Sequence, residues 1–185
     1  LEFVDFDESG DLDALVQRQC ELHAIVDHAD TVGALVRSAL SSDAVALART
    51  STAFRELYVG APLGDVMVEG YVDLLVQTPE GLIIIDYKTD SASSPAEIDA
   101  KLAAYELQGA AYAVALEEST GLDVVDCRFV FCKVGGAIER SVIDLAGAKQ
   151  RVRATVAAGL QPVSRSASGP AVSIDTITQP SLFSD

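Results

Sequence analysis

The chain has 185 residues and a formal net charge of −15, with 28 acidic against 13 basic side chains. This length suits one domain with tails and is too short for two ordinary domains. The charge argues against broad attraction to a nucleic-acid backbone, so a bound strand would need another component to deliver it. No apolar run reaches the roughly 18 residues that span a bilayer, and no signal segment opens the chain. We expect a soluble, cytoplasmic protein without a membrane partner.

The start of the chain and its cysteines give two further expectations. The first residue is Leu1 rather than Met, which predicts a fragment with further sequence upstream. The three cysteines, Cys20, Cys127 and Cys132, lack the CxxC spacing of zinc or iron–sulfur ligands. We therefore expect buried, reduced thiols and no iron–sulfur cluster.

Helical periodicity marks the first part of the chain, from about Asp11 to Arg49. The apolar positions that recur at helical spacing are Leu12, Leu15, Val16 and Leu22, followed by Val32, Leu35, Val36 and Leu40. This pattern predicts two or three amphipathic helices. We expect residues 1–52 to form a helical segment in front of a core over residues 53–160.

From Ala53 the pattern changes to the alternation of β-strands, in the segments FRELYV, VMVEGYVDLLVQ and LIIIDYK. The four residues Thr-Pro-Glu-Gly that separate the last two segments fit a type I turn, so a β-meander is predicted. Counting outward from a Thr78–Gly81 pair places Asp73 directly opposite Asp86.

The second half of the chain continues with a mixture of helices and strands. A capping box at Ser94 predicts a helix that runs to about Glu118. Two strands are predicted at about Val124–Val134 and Ala137–Ile143, joined by a tight Gly-Gly turn. The whole order predicts an α/β fold in which a central mixed sheet is flanked by helices.

A last helix is predicted over about Leu145–Ala158, and the composition of the chain changes after it. The tail over residues 161–185 is rich in Ser, Pro and Thr, and we expect it to be mobile. No GxxxxGK[ST] phosphate loop occurs anywhere, so no ATP site is expected in this chain.

Alternation within the hairpin separates charged from apolar side chains. One face is predicted to carry Tyr71, Asp73, Leu75, Ile84, Asp86 and Lys88. The other face is predicted to be the core side, and it carries Val72, Leu74, Val76, Ile83, Ile85 and Tyr87.

The charged face suggests a chemistry. Asp73 and Asp86 repel each other when they lie opposite across a ladder, and a hard cation such as Mg²⁺ or Mn²⁺ would offset that repulsion. Lys88 on the same face could orient or deprotonate an attacking water, or stabilise charge on a phosphate. The set supports phosphodiester hydrolysis. The competing interpretation is a solvated strand face with a compensating salt bridge, but the aliphatic run before Asp86 is typical of a buried strand.

Several of these segments together resemble a known family. The stretches Glu69–Leu75 (EGYVDLL) and Leu82–Asp90 (LIIIDYKTD), with Gln108-x-x-x-Tyr112 after them, resemble the RecB-type nuclease domain of the PD-(D/E)XK superfamily. Such domains occur at the C-terminus of UvrD/Rep-type helicases. The segment Arg-Glu-Leu around Glu56 is similar to the family's upstream glutamate segment. The resemblance spans about residues 53–112.

The resemblance implies roles for particular residues. Asp73 and Asp86 would be metal ligands, Lys88 the catalytic lysine, and Glu56 an accessory acidic residue near the metal. The site-bordering pair, Gln108 and Tyr112, would contact the lysine, the backbone or DNA. An ordinary partly buried helix face fits their four-residue spacing equally well.

The chain departs from the family in its histidines. The family commonly has a metal-binding histidine in a Gly-x-x-x-His setting on its first helix, and neither His23 nor His28 stands in one. We expect both to be ordinary helix-surface residues and the family's ligand to precede Leu1. The fragment is then expected to be weakly active.

The function implied by the resemblance is that of a Mg²⁺- or Mn²⁺-dependent deoxyribonuclease, with an exonuclease mode expected. Its parent would be an ATP-dependent helicase–nuclease of recombination and double-strand break repair. Its partners would be DNA, an upstream helicase motor that holds the ATP, and a partner subunit. Two alternatives are a catalytically degenerate scaffold or binding module within a helicase, and an acidic partner-binding domain unrelated to DNA.

Overall fold

The computed structural model describes residues 1–4, 6, 10–89, 94–159 and 172–173. Its first helices are α1 (Leu12–Leu22), α2 (Ala29–Leu40) and α3 (Asp43–Arg49), with a 3-10 turn at Val26–His28. Side-chain oxygens of the residues before α1 and α3 accept hydrogen bonds from backbone amides in the first turn, which caps both helices. The predicted helical start of the chain is confirmed.

The remaining elements follow in chain order. They are β1 (Thr52–Leu63), β2 (Val66–Thr78), β3 (Gly81–Lys88), α4 (Pro95–Thr120), β4 (Val124–Phe131), β5 (Ile138–Ser141), α5 (Leu145–Gly159) and β6 (Val172–Ser173). Helix α4 begins as predicted, because the Ser94 hydroxyl accepts a hydrogen bond from the Glu97 amide. It ends at Thr120, and the C-cap residue Gly121 has a φ of 71°, the left-handed conformation common at helix C-termini.

The strands form one mixed sheet in the order β1-β2-β3-β4-β5, with β6 beside β2. Strands β1, β2 and β3 are antiparallel neighbours, which confirms the predicted meander. Helix α4 carries the chain across the sheet, so β4 runs parallel to β3, and β5 returns antiparallel to β4. The predicted α/β class, a central mixed sheet flanked by helices, is confirmed.

Strands β4 and β5 are shorter than predicted. The prediction extended them to Val134 and back to Ala137, whereas β4 ends at Phe131 and β5 begins at Ile138. The connection is longer because Gly135 and Gly136 adopt φ values of 95° and 144°, so the chain leaves the ladder well before the two glycines.

Both faces of the sheet are buried, so the predicted division into one core face and one charged face is wrong. Helices α4 and α5 cover one face over a core that includes Leu75, Ile84 and Phe129. Helices α2 and α3 pack on the opposite face, over Leu74 and Ile85 among others. The aliphatic run of β3 is therefore covered on both sides, as is usual for a central strand with a parallel neighbour.

An irregularity in β1 and β2 changes which side chains share a face. The ladder skips the pair Glu56 and Asp73, while the pairs on either side of it are regular. Glu56 has a φ of 47°, a left-handed conformation that is strained for a residue with a side chain. The alternation of side chains between the two faces of the sheet is interrupted at this point. Val72 therefore packs on the α4 side and Leu74 on the opposite side, although they are two residues apart. The prediction that these two residues share a face is wrong.

The predicted mobile tail, residues 161–185, lies outside the described residues except for Val172–Ser173. These two residues pair in parallel with Val68 and Glu69 of β2. They occupy the side of β2 that β3 leaves open, because β3 pairs only with the second half of β2. Within the described part of the chain, no helix is long and apolar enough to span a bilayer.

Candidate active site

The candidate site lies in a fork between β2 and β3. Their ladder runs from the Thr78–Gly81 pair to the Leu74–Ile85 pair, in the register that the turn predicts. It ends one pair before Asp73 and Asp86, so these two residues are not the ladder partners that the sequence predicts. Beyond it, β2 continues against β1 while β3 continues against β4, so the two strands separate. The carboxylate of Asp73 enters the gap, where its Oδ2 accepts a hydrogen bond from the Tyr87 amide at 2.7 Å.

Asp73 and Asp86 are brought together in this fork. Burial and repulsion from Asp73 raise the pKa of Asp86 to about 7, against the lowering effect of Lys88. Burial likewise raises the pKa of Asp73, although the Tyr87 amide and Lys88 both act to lower it. The two carboxyl groups are close enough to influence each other, and their mutual repulsion disfavours the state in which both are ionised.

Lys88 is held on three sides. Its Nζ lies 3.1 Å from Oδ1 of Asp86 and donates a hydrogen bond to Oε1 of Gln108 at 3.2 Å. The same ammonium lies 4.2 Å from the centroid of the Tyr105 ring and 5.6 Å from that of Phe129. With only 15% of its side chain exposed, Lys88 has little freedom to leave the carboxylates.

Gln108 and Tyr112 connect the lysine to the body of the sheet. The Gln108 amide donates through Nε2 to the Tyr112 hydroxyl at 3.3 Å while its oxygen accepts from Lys88. Tyr112 is buried, and its ring packs on Gly70 so closely that a Cβ there would lie 2.6 Å from its Cε1. Gly70 therefore makes room for the ring that supports Gln108.

This contact gives a first prediction. Gly70→Ala should destabilise the fold by about 1–3 kcal/mol, because the new methyl group must displace a buried ring. It should also slow any reaction that depends on Lys88, because Gln108 would lose its support. Thermal melts of Gly70→Ala and of the control Gly10→Ala, where an added Cβ meets nothing within 4 Å, measure the first effect. Equal melting of both variants and the parent would refute this contact.

Glu56 lies close to the fork without joining it. Partial burial and the nearby Asp73 carboxylate raise its pKa, which places the two charges within electrostatic reach. Its side chain is nevertheless exposed. Among the described residues, no three His, Cys, Asp or Glu side chains converge in the manner of a complete protein-built metal site.

The donor set of the fork fits a hard divalent cation. Asp73 and Asp86 offer carboxylate oxygens, and their raised pKa values show that the bare pair is poorly stabilised as two anions. Mg²⁺ is commonly held by one or two carboxylates, with water and substrate phosphate as the other ligands. Two carboxylates are therefore a sufficient protein contribution.

Other residues singled out in the sequence lie away from the fork. His23 and His28 are exposed, on the C-cap of α1 and in the 3-10 turn, as predicted. The three cysteines are free and buried, also as predicted. Asp90, which ends the stretch that carries the family resemblance, lies outside the described residues.

The sequence interpretation assigned no role to three residues that shape the site, namely Gly70, which belongs to the EGYVDLL stretch, and Tyr105 and Phe129. A signal for one of them was present, because Tyr105 precedes Gln108 by three residues and Tyr112 by seven, a single helical face. Phe129 has no such signal, since its place beside Lys88 arises from the parallel pairing of β3 with β4.

Comparison with known proteins gives one family. A family model described as the PD-(D/E)XK nuclease superfamily matches residues 7–173. Among solved structures, the chain is similar to one described as "Crystal structure of SSO0001", with 14% identity and a TM-score of 0.39 over 75% of this chain and 71% of that chain. No curated protein matches the chain.

Proposed function

The chain belongs to the PD-(D/E)XK nuclease superfamily, and from this premise we propose that it hydrolyses DNA phosphodiester bonds with Mg²⁺ or Mn²⁺. The proposal rests on the close approach of Asp73, Asp86 and Lys88 in the fork. A solvated strand face is a poor account of these charges, because Asp86 is only 8% exposed and Lys88 is enclosed by aromatic rings.

The assigned roles follow from the contacts. Asp73 and Asp86 would hold the cation, which when bound supplies an acidified water and neutralises charge on the phosphate. Lys88 has three N–H donors, and two of them point to Asp86 and Gln108. The third is available to a phosphate oxygen or to the attacking water. Gln108 and Tyr112 would keep the lysine in place, and Glu56 would add negative charge beside the cation.

The wider context is proposed from the sequence resemblance. We infer a RecB-type domain with an exonuclease mode, in which residues 53–160 are the nuclease core and residues 1–52 a helical segment. The parent would be a cytoplasmic helicase–nuclease of recombination and repair, with an upstream motor that binds ATP and a partner subunit. The net charge of −15 supports delivery of DNA by such a motor, because it disfavours strong independent binding of the strand.

The proposal is tested by a digestion assay on end-labelled linear DNA. We expect degradation in Mn²⁺ or Mg²⁺ and none in chelator, and none with Asp73→Asn, which loses a ligand charge without changing shape. The matched control is Asp126→Asn, an acidic residue on β4 that pairs with Arg128 at 2.6 Å outside the fork. If the parent fails to cleave DNA in either metal, alone and within the longer protein, the scaffold alternative replaces the proposal.

A further inference from the structure

Arg140 of β5 lies in the same row of the sheet as Asp86. Phe129 of β4 pairs with Asp86 on one side and with Arg140 on the other. Residues paired across neighbouring strands point their side chains to the same face of a sheet. Because Phe129 packs in the core under α4, Asp86 and Arg140 also project toward α4. At about 4.8 Å per strand, their backbones lie roughly 10 Å apart.

Contacts with α4 and with its own strand hold the Arg140 guanidinium. Its Nε donates a hydrogen bond to Oδ1 of Asp99 on α4 at 2.8 Å, and its Nη1 donates to the carbonyl oxygen of Glu139 at 3.0 Å. A guanidinium carries five N–H groups, so three of them have no acceptor within the part of the chain that the structure describes. The side chain is 34% exposed. Arg140 is therefore oriented and still has donors to offer to a ligand.

The ion pair with Asp99 does not by itself account for Arg140. The Asp99 side chain is 59% exposed, and ion pairs that are this open to solvent contribute little to stability. Arg128 on β4 has a similar pair, with Asp126 at 2.6 Å. Arg128 pairs with Ile85, however, which packs on the face opposite α4. The two arginines are alike in exposure and ion pairing, but only Arg140 shares a face with Asp86.

Aromatic rings fill the space between Arg140 and the lysine of the fork. The Tyr105 ring stacks on Phe129 with centroids 5.6 Å apart, and it lies 4.2 Å from Nζ of Lys88. These rings carry no charge. In a chain with a net charge of −15, attraction for a phosphate has to come from individually placed cations. Arg140 is such a cation, on the same face of the sheet as the candidate site.

We propose that Arg140 binds a backbone phosphate of the DNA strand, a few nucleotides away from the phosphate that is cut at Asp86 and Lys88. This inference rests on the proposed nuclease function, and it adds a residue that positions the substrate. The separation of roughly 10 Å corresponds to about three nucleotides, at about 3.4 Å of helix axis for each. The planar guanidinium matches a phosphate group in shape and charge. Asp99 orients the guanidinium and offsets part of its charge.

The test measures the affinity for a fluorescently labelled duplex with a single-stranded overhang, by anisotropy over a series of salt concentrations. The protein carries Lys88→Met to prevent digestion, and Mg²⁺ is present. Adding Arg140→Gln should weaken binding about tenfold at low salt. It should also reduce the slope of log affinity against log salt by about 0.7–0.9, the value for one lost phosphate contact. The matched control is Arg128→Gln, which should change neither quantity.

Two further variants separate contact with DNA from a structural role. Asp99→Asn keeps an oxygen that accepts from Arg140 and removes a negative charge, so it should leave DNA binding unchanged or make it tighter. Arg140→Lys keeps the positive charge and should recover the salt slope of the parent. A purely structural ion pair would instead give equal losses of affinity with Arg140→Gln and Asp99→Asn, and an unchanged slope. Thermal melts of all variants report whether each is folded.

The outcomes distinguish this inference from the proposed function. An unchanged salt slope with Arg140→Gln, an equal effect of Arg128→Gln, or a loss of affinity with Asp99→Asn overturns the contact. If the parent cleaves DNA with metal and Arg140→Gln alters neither binding nor cleavage, the contact is overturned and the nuclease assignment stands. If DNA binding depends on Arg140 and the parent does not cleave, the contact stands and the nuclease assignment is overturned.

Discussion

Replacing Lys88 by methionine should slow DNA cleavage by on the order of 10²–10³-fold, the usual loss when one preorganised donor to a reacting oxygen is removed. Methionine keeps most of the packing against Tyr105 and Phe129 but donates no hydrogen bond. Binding of Mn²⁺ should persist or become tighter, because a positive charge 3.1 Å from Asp86 opposes a cation at the same carboxylate. Single-turnover cleavage and calorimetric titration with Mn²⁺ measure the two effects.

The control for this variant is Lys133→Met, which removes a lysine outside the fork. It should leave both cleavage and metal binding unchanged. If Lys88→Met loses metal binding together with cleavage, the lysine organises the carboxylates and has no chemical role. In the proposed helicase–nuclease parent, Lys88→Met should spare ATP hydrolysis and unwinding, since the lysine is assigned only to hydrolysis of the strand.

Replacing Asp86 by asparagine should make the metal-free protein more stable at pH 8 by up to about 4 kcal/mol, since the pKa of Asp86 is raised from 3.8 to about 7 and each pKa unit corresponds to about 1.4 kcal/mol. Asparagine keeps an oxygen that can accept from Lys88, and it removes the repulsion with Asp73. The same variant should lose the stabilisation that Mg²⁺ gives to the parent, because one of two ligand charges is gone. Thermal melts in chelator and in Mg²⁺ measure both effects.

The pH dependence has a definite sign. The pKa of Asp86 is raised to about 7 from a usual value of 3.8, so the folded state binds more protons than the unfolded state between these values. Stability in chelator should therefore fall as the pH rises from about 4 to about 7 in the parent, with a smaller fall in Asp86→Asn. Asp126→Asn serves as the control that keeps the parent's pH dependence. A lower melting temperature for Asp86→Asn than for the parent at pH 8 in chelator would show that the carboxylate is a structural acceptor.

The sequence by itself determined the order of the elements and the register of the central hairpin. The Thr-Pro-Glu-Gly turn sets that register because a short turn permits few pairings, and the register brings Asp73 and Asp86 to the end of the ladder. The capping box at Ser94 likewise acts within one helical turn. The side chains that would do the chemistry could be chosen for the same reason, because their spacing along two adjacent strands is a local property.

Only the tertiary structure decided which faces are buried and what surrounds the lysine. Assigning faces from alternating polarity assumes that the strands pair without interruption. The β1–β2 ladder is interrupted at Glu56 and Asp73, where Glu56 adopts a left-handed backbone conformation. The polarity of the side chains does not predict that conformation. Phe129 reaches Lys88 because α4 returns the chain to pair β4 beside β3, a contact between residues 41 positions apart. Such contacts depend on long-range packing, which burial and chain connectivity fix together.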